Sequence, residues 1–306
     1  MTLNATHLAY MKLTKDSISP YIIGTMRLGS WGSNLNTTEY KRFIEGCLDL
    51  GLIDFDHADI YGHYTTEDDF GKVLKSRNDL RKKMRITTKC GIKLTSENRP
   101  DHKIKSYDLS AKHITASVEK SLASLQTDYI DVLLLHSPDY LFDPHEIAEN
   151  FSKLKKEGKV LDFGVSNFSP SQFDLLNSLT PLVTNQGEIS LLHRNAFEDG
   201  TLDQCQKLNV IPTAWSPLGG GLLFKEGKDE KIQAIQKTLN ALAEKYSAAS
   251  DQILYSWLRK HPAGIIPVLG TSKIERIQAA QKALDITLTH EEWYMLWEAA
   301  LGREVD

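Results

Sequence analysis

Short β-type segments alternate with longer helical segments from about residue 20 almost to the end of this 306-residue chain. The helical segments carry apolar residues at a spacing of three or four, as Ile114, Val118 and Leu122 illustrate. A βαβα order produces a parallel sheet covered by helices. The candidate strands are residues 21–25, 52–56, 84–89, 130–136, 160–165, 182–186, 210–215 and 264–268. Eight parallel strands predict an α/β fold in which the sheet closes as a (β/α)₈ TIM barrel.

The rest of the chain adds little to this repeating unit. No linker-like stretch or internal repeat divides it, which favours one domain over residues 1–306. Three segments fall outside the eight units: a hairpin-like segment around Met11 to Ile18, a loop at residues 91–107 and a terminal helix at residues 289–301. We therefore expect an N-terminal β-hairpin and an extra C-terminal helix to decorate the barrel.

Composition narrows the kind of partner. The net charge of -4 is spread over interspersed acidic and basic residues, which excludes a basic field for nucleic acid or a membrane surface and favours a small molecule. The three cysteines have no CxxC spacing, so neither a disulfide framework nor a metal site is expected. Without a leader-like or membrane-spanning stretch, we expect a cytoplasmic protein. Monomer and weak homodimer both remain open.

Polar residues end most of the predicted strands, and the carboxyl ends of barrel strands form the active-site face. Asp56, Lys89 and His136 close the second, third and fourth strands, and Tyr61 follows Asp56 by five positions. Later strand ends carry Ser166 with Asn167, Gln186, and Trp215 with Ser216. Singly, such residues often form solvated ion pairs or structural hydrogen bonds. Their joint placement at one rim predicts a functional site.

The first four residues suit the delivery of a proton to a carbonyl oxygen. Tyr61 is the candidate acid, and an ammonium such as Lys89 lowers the pKa of a neighbouring phenol. Asp56 would pair with Lys89, and His136 would orient the carbonyl by a hydrogen bond. A hydrolase or aldolase, in which Lys89 forms a Schiff base or carboxylates do acid/base work, is the alternative that needs no nicotinamide cofactor.

A reductase also needs a hydride donor, and no GxGxxG follows the first strand. Gly219 to Gly221 and the segment Thr271-Ser272-Lys273 with Arg276 lie after the last two strands, where barrels frequently bind phosphate. A flexible loop and a charged helix start explain these residues equally well. The spacing alone leaves this choice open.

Three ordered blocks resemble the aldo/keto reductase family. They are Ile53-Asp54-Phe55-Asp56-His57-Ala58-Asp59-Ile60-Tyr61-Gly62, Leu133-Leu134-Leu135-His136-Ser137-Pro138-Asp139, and Gly158-Lys159 with Gly164-Val165-Ser166-Asn167-Phe168. Further matches extend from Gly24-Thr25-Met26 to Gly270-Thr271-Ser272-Lys273-Ile274-Glu275-Arg276, so the resemblance covers essentially the whole chain. Within the family, the motifs are most similar to bacterial YdhF-type oxidoreductases.

The resemblance implies a catalytic tetrad of Asp56, Tyr61, Lys89 and His136 and a bound NADPH (NADP) cofactor. It implies that Ser166, Asn167 and Gln186 bind the nicotinamide amide and that Trp215 stacks on its ring. The other implied cofactor contacts are Gly24, Thr25, Met26, Asp56, Ser216, Leu218, Gly219, Gly270, Thr271, Ser272, Lys273 and Arg276. Lys273 and Arg276 would bind the 2′-phosphate, which favours NADPH over NADH.

Three positions depart from the family pattern. His57 stands where a Thr usually follows the catalytic Asp, and Trp215 replaces an aromatic Tyr. Ala280 stands where many members have an Asn against adenine, so Gln278 or Gln281 would have to substitute.

The resemblance implies a cytoplasmic enzyme that reduces aldehydes or ketones to alcohols. An NADPH-binding regulatory protein on the same fold is the alternative. Substrate choice would lie in the loops at residues 91–107 and 137–144 and in the C-terminal stretch, with Trp31, His63 and Tyr64 as candidate pocket residues.

Overall fold

The computed structural model describes residues 13–225, 227 and 229–305. The strands of this part are β1 Ile22–Gly24, β2 Asp54–Asp56, β3 Arg85–Cys90, β4 Ile92–Lys93, β5 Ser106–Tyr107, β6 Ile130–Leu135, β7 Val160–Ser166, β8 Thr184–Glu188, β9 Ile211–Trp215 and β10 Ile266–Leu269. Eight of them form a closed barrel in the order β1-β10-β9-β8-β7-β6-β3-β2. All neighbouring pairs are parallel, and β1 closes the barrel against β10 with Ile22 beside Val268.

Helical segments follow most of the strands, and one of them, α2 at Tyr61–Tyr64, is a short kinked turn at the mouth of the barrel. They are α1 Thr37–Asp49, α2 Tyr61–Tyr64, α3 Thr66–Ser76, α4 Ala111–Leu125, α5 Pro144–Lys156, α6 Pro170–Asn177, α7 Asn195–Glu198, α8 Thr201–Leu208, α9 Glu230–Lys245, α10 Ser250–Arg259, α11 Ile274–Gln281 and α12 His290–Leu301. Short 3₁₀ segments occur at Arg81–Lys83, Gly219–Phe224 and Lys282–Asp285.

The sequence specifies where several helices begin. Asn36 and Thr289 each cap a helix with a side-chain oxygen while a Glu three residues later bonds back, which satisfies backbone N–H groups that have no partner inside the helix. Pro144 and Pro170 occupy first-turn positions, where a missing N–H costs nothing.

The helices pack on the barrel through their apolar faces. Phe151 of α5 stacks on Phe163 of β7 with ring centroids 3.9 Å apart. On the opposite side, Trp257 of α10 and Trp293 of α12 stack at 5.0 Å, and each indole N–H donates to the other residue's carbonyl. These contacts fix the C-terminal helix against the barrel.

All eight predicted strands are confirmed, with ends that differ by one or two residues, and the C-terminal helix is confirmed as well. The predicted N-terminal hairpin is wrong in its described part. Residues 13–18 form a turn in which the Ser17 and Ile18 amides both donate to the Thr14 carbonyl, at 3.1 and 2.9 Å. Thr14 and Ser17 side chains bond the same turn, which removes the extended backbone that a hairpin needs. Met11 lies outside the described residues.

The loop at residues 91–107 carries a small antiparallel pair, β4 and β5, that the sequence did not indicate. Among the described residues, no helix is both long and apolar enough to cross a membrane.

Candidate active site

Lys89 lies at the centre of the polar residues inside the barrel. Its ammonium donates to the Asp56 Oδ2 at 2.6 Å, to the Tyr61 hydroxyl at 3.2 Å and to the His57 carbonyl at 3.0 Å. Side-chain alternation on β2 and β3 directs Asp56 and Lys89 into the barrel, where both are buried. Gln186 donates to the other carboxylate oxygen of Asp56 at 3.1 Å, so both oxygens of Asp56 are occupied.

The turn after β2 carries Tyr61 over this ion pair. The Tyr61 amide donates to the Ala58 carbonyl, and Gly62 and His63 follow with φ of 59° and 57°. Gly62 is required here because a Cβ would lie 2.5 Å from the Thr66 hydroxyl oxygen. The left-handed turn thus begins directly after Tyr61, whose hydroxyl lies within hydrogen-bond distance of Lys89.

His136 completes the group from the end of β6. Its ring lies edge to face with Tyr61, with centroids 6.1 Å apart. The backbone holds the residue in place, because its amide donates to the Cys90 carbonyl at 2.8 Å and its carbonyl accepts from Asn167 at 3.0 Å. The His136 Nδ1 is buried without a hydrogen-bond partner. The structure thus brings together all four residues of the predicted tetrad.

The surroundings set the charge of these groups. Burial raises the pKa of Tyr61 and outweighs the opposing effect of Lys89. Burial lowers the pKa of Lys89, but Asp56 and Tyr61 together raise it above its usual value. Burial, assisted by Lys89 and Lys105, holds the pKa of His136 well below its usual value. At neutral pH the site therefore contains a protonated phenol, an ammonium and a neutral imidazole.

The predicted effect of Lys89 on Tyr61 is present, but it does not decide the net shift. Lys89 lowers the pKa of the phenol, as the sequence suggested, whereas burial is the larger effect and raises that pKa above its usual value. Lys89 can still stabilise a phenolate once it forms, because its ammonium is within hydrogen-bond distance of the hydroxyl oxygen.

The predicted nicotinamide contacts form a second connected group beside the tetrad. Asn167 adopts φ of 61° and donates to the Ser166 hydroxyl at 3.1 Å. The Trp215 indole N–H donates to the Asn167 Oδ1 at 3.0 Å, which fixes the indole at the end of β9. Gln186 reaches this group from β8, where it pairs with Ser166.

The predicted phosphate contacts lie in the loops after β9 and β10. Ser216 has φ of 49°, and the Gly219 amide donates to its carbonyl at 2.8 Å just before the 3₁₀ segment. After β10, the Lys273 amide donates to the Thr271 hydroxyl at 3.2 Å, and Lys273 and Arg276 are exposed at the start of α11. Ser272 approaches Ser33 from the β1 loop, with hydroxyl oxygens 2.5 Å apart.

The predicted cofactor contacts at the end of β1 differ in the exposure of their side chains. Gly24 pairs with Asp56, and a Cβ there would lie 3.0 Å from Val268 and 3.1 Å from the Leu269 carbonyl oxygen. Met26 is exposed beside it, whereas the Thr25 side chain is fully buried and turned into the protein. Leu218 is half-buried and Gly270 is exposed.

Of the candidate pocket residues, Trp31 and His63 lie beside the tetrad. The ring centroids of Trp31 and Tyr61 are 6.2 Å apart, and those of Trp31 and His63 are 5.2 Å apart. Tyr64 differs, because the Leu94 amide donates to its hydroxyl at 2.8 Å and it lines a separate cavity of about 210 Å³.

The three residues considered for contact with adenine differ in their surroundings. Ala280 is buried, and its carbonyl accepts from the Tyr21 hydroxyl at 2.9 Å. The Gln281 amide already donates to the Leu50 carbonyl at 2.9 Å. Gln278 is exposed on α11, so of the two predicted substitutes it is the one whose side chain is more accessible to a ligand.

The structure also contains a second cluster of ionisable residues, around a separate cavity, that the sequence did not indicate. Asp59 and Glu67 line the 210 Å³ cavity with Arg99 and His113. The Thr88 hydroxyl donates to Glu67 at 2.6 Å, and the Asp59 Oδ1 is buried without a hydrogen-bond partner. The signal in the sequence is weak, because an acidic residue in the first turn of a helix is ordinarily exposed. The described residues hold no cluster of three or more His, Cys, Asp or Glu that could bind a metal ion.

Comparison with known proteins finds relatives that are similar over almost the whole chain. The oxidoreductase YcsN of Bacillus subtilis (strain 168) is 45% identical over 299 residues, 96% of this chain and 99% of that protein. The oxidoreductase YdhF of Escherichia coli (strain K12) is 44% identical, covering 94% of this chain and 95% of its own, which confirms the branch that the motifs indicated. A 6-dehydroglucose reductase of Agrobacterium fabrum is 40% identical over 95% of this chain and 97% of its own.

The fold has similar solved structures as well. The glycerol dehydrogenase AKR11B4 from Gluconobacter oxydans superposes with a TM-score of 0.82 at 27% identity and covers 94% of each chain. The sequence model of the aldo/keto reductase family matches residues 20–300, a range that contains the whole tetrad. The chain is therefore an oxidoreductase that belongs to the aldo/keto reductase family.

Proposed function

We propose that this protein reduces an aldehyde or ketone to the alcohol with NADPH, and that Tyr61 supplies the proton. The observation that carries this proposal is the contact of one buried ammonium, Lys89, with both the Tyr61 hydroxyl and Asp56. A phenol beside a fixed ammonium suits the protonation of an alkoxide that forms next to it.

The residues at the barrel mouth fit a dinucleotide of this kind. Ser166, Asn167 and Gln186 offer hydroxyl and amide groups at one edge of the tetrad, and the half-buried Trp215 offers a ring face. Lys273 and Arg276 are exposed cations beside Gly270, where a Cβ would contact nothing within 4 Å. The Gly270 backbone and the two cations are therefore accessible to a pyrophosphate and a 2′-phosphate.

When bound, NADPH supplies a hydride to the carbonyl carbon. The carbon–oxygen π electrons move to the oxygen, and the Tyr61 hydroxyl transfers its proton to that oxygen to give the alcohol. The neutral His136 orients the carbonyl oxygen toward Tyr61 through a hydrogen bond. Lys89 stabilises the resulting phenolate, and Asp56 keeps Lys89 charged and in position. Solvent then restores the proton of Tyr61.

The names of two relatives guide the choice of carbonyls to test. One relative, 40% identical, is named a 6-dehydroglucose reductase, and a second of that name is 35% identical. Sugar carbonyls therefore belong in the test panel beside aromatic aldehydes and α-dicarbonyls.

The test follows the loss of NADPH absorbance against this panel, with NADH and with the Tyr61→Phe variant as comparisons. Turnover that prefers NADPH and falls by at least about 100-fold in Tyr61→Phe supports the proposal. Tight NADPH binding without turnover of any carbonyl favours the regulatory alternative. Turnover of a carbonyl donor without NADPH favours the Schiff-base alternative through Lys89.

A further inference from the structure

His57 directly follows the catalytic Asp56, and its imidazole is fully buried. The ring lies edge to face against Phe70, with centroids 4.5 Å apart and an angle of 82° between the planes. Its Nδ1 lies 3.0 Å from the hydroxyl oxygen of Thr25, at the end of β1. The side chain therefore joins the strand that carries the tetrad aspartate to the strand that precedes it.

The hydrogen bonds determine which nitrogen of His57 carries the proton. Burial, assisted by Lys89, lowers the pKa of His57 to about 3, so the ring is neutral and has one N–H. The Thr25 hydroxyl can donate its single proton to the Asp56 carbonyl, 3.0 Å away, and then accepts from His57. With the proton on Nδ1, the unpartnered Nε2 keeps only a lone pair. The other tautomer would bury an N–H without an acceptor, which is the costlier arrangement.

These bonds link His57 to two residues of the tetrad, Asp56 and Lys89. The His57 Nδ1–H donates to Thr25, Thr25 donates to the Asp56 carbonyl, and Lys89 donates to the His57 carbonyl at 3.0 Å. The Thr25 amide also donates to the Asp56 carbonyl at 3.0 Å. One neutral imidazole thus connects the end of β1 to the residue that binds Lys89.

We propose that His57 is a positioning residue, which fixes the β1 rim at Gly24 to Met26 relative to Lys89 and Tyr61 so that the nicotinamide and the proton donor stay aligned. This inference rests on the proposed use of NADPH. His57 itself does not touch the reacting atoms. A smaller residue without an N–H at this position would leave Thr25 without its donor and loosen the rim.

Two substitutions separate the hydrogen bond from the filling of space. His57→Leu keeps an apolar side chain of similar reach but removes the N–H, whereas His57→Asn places an N–H near the position of Nδ1. The two readouts are the Kd for NADPH, measured by quenching of tryptophan fluorescence, and kcat with a carbonyl that the wild type reduces. Thermal unfolding of each variant reports stability separately.

We expect His57→Leu to raise the Kd for NADPH or to lower kcat by about fivefold to tenfold, the effect of one lost hydrogen bond. His57→Asn should recover most of that loss. Thr25→Val removes the acceptor of His57 and also the hydroxyl's own donation to the Asp56 carbonyl, so its loss should be at least as large as that of His57→Leu. The double variant should be no worse than Thr25→Val alone, because the His57–Thr25 bond is already absent there.

The outcomes distinguish this inference from the proposed function. If the wild type does not bind NADPH, the proposed function fails. If the wild type binds NADPH and His57→Leu changes only the unfolding temperature, His57 is merely structural and the inference is wrong. Additive losses in His57→Leu and Thr25→Val would also overturn it.

Discussion

At the scale of single residues, the charged side chains that β2 and β3 direct into the barrel are buried as two pairs. Asp54 and Asp56 face inward from β2, and Arg85 and Lys89 face inward from β3, four positions apart. Arg85 bonds Asp54 at 2.5 and 2.9 Å, and Lys89 bonds Asp56 at 2.6 Å. The first pair lies at the start of the strands and the second at their carboxyl ends. Because a buried charge is costly without a partner, loss of one member of either pair should destabilise the fold, but only the second pair is near the proposed chemistry.

Asp54→Asn and Asp56→Asn test this division. Each leaves a buried cation without its anion, so each should lower the free energy of unfolding by about 3–5 kcal/mol, measured by urea denaturation. Only Asp56→Asn should also lower kcat of the folded protein, by about 100-fold or more, because Lys89 loses the group that keeps it charged. Equal losses of kcat in the two variants would contradict the assignment of the second pair to catalysis.

Glu67 gives a pH dependence of stability. Burial raises its pKa to about 7. Below the ordinary carboxyl pKa of about 4.3, Glu67 is protonated in both states, so folding is not penalised. As the pH rises from there through about 7, the unfolded chain ionises while the folded protein retains its proton, so the free energy of unfolding falls.

The measurement is urea denaturation of wild type and Glu67→Gln across this pH range. The fall of the free energy of unfolding with rising pH should be smaller in Glu67→Gln than in the wild type. It should be unchanged in the control variant Glu97→Gln, which alters an exposed loop residue. Some slope should remain, because burial also raises the pKa of Asp59. Identical slopes in wild type and Glu67→Gln would show that Glu67 ionises normally in the folded state.

The sequence was most informative where chemistry and topology agree. Asp56, Lys89 and His136 were predicted because each ends a strand, and parallel strand ends meet at one rim. Tyr64 was predicted as a residue of the substrate pocket, but it lines another cavity. The left-handed turn at Gly62 and His63 lies between Tyr61 and Tyr64 and separates the two phenols. The raised pKa of Tyr61 depends on burial, which strand periodicity does not quantify.

At the scale of elements, close helix packing depends on small residues. Gly71 of α3 lies against α4, where a Cβ would collide with the Ser124 carbonyl oxygen. Gly46 of α1 lies against α11, where a Cβ would approach the Ile274 Cδ1 at 2.9 Å, the flexible end of a side chain. The two glycines therefore differ in whether the neighbour can move.

Gly71→Ala and Gly46→Ala form a matched pair in two helices. Alanine is favoured over glycine in a helix by about 1 kcal/mol, so propensity alone predicts that both variants gain stability. We expect Gly71→Ala to lose about 1–3 kcal/mol because the α4 backbone cannot yield, whereas Gly46→Ala should change by less than about 1 kcal/mol. Chemical denaturation measures both. A stable Gly71→Ala would contradict the close approach of α3 and α4.

The strands and helices were largely predictable because their periodicity is local. The turn at Thr14 to Ser17 was not, because its side-chain hydrogen bonds compete with the extended backbone that the residue types allow. The β4–β5 pair was missed for a related reason. Two strands of two residues each leave almost no alternation to detect.

At the scale of the whole molecule, the barrel is closed by the pairing of β1 with β10, the first and last strands of the part of the chain that the structure describes. Stability thus depends on contacts between distant parts of the chain, and the helix α12 adds a stacked tryptophan contact with α10. We expect residues 1–306 to behave as one domain, as the uninterrupted βα alternation indicates.

Cooperative unfolding tests this expectation. Three of the five tryptophans lie at positions 257, 293 and 297, so fluorescence reports the last part of the barrel, whereas far-ultraviolet circular dichroism reports all helices. The two urea transitions should coincide if the barrel opens as one unit. Transitions with separate midpoints would show that two units unfold independently.

The most direct test of the central proposal is the fate of the hydride. The protein is supplied with NADPH that carries deuterium at the transferring position of nicotinamide C4, and the alcohol formed from a panel carbonyl is analysed by mass spectrometry. The proposed reaction predicts one deuterium on the former carbonyl carbon, with Tyr61→Phe forming the same labelled product far more slowly while still binding NADPH. Alcohol without deuterium, or NADPH binding with no alcohol from any carbonyl, would contradict it.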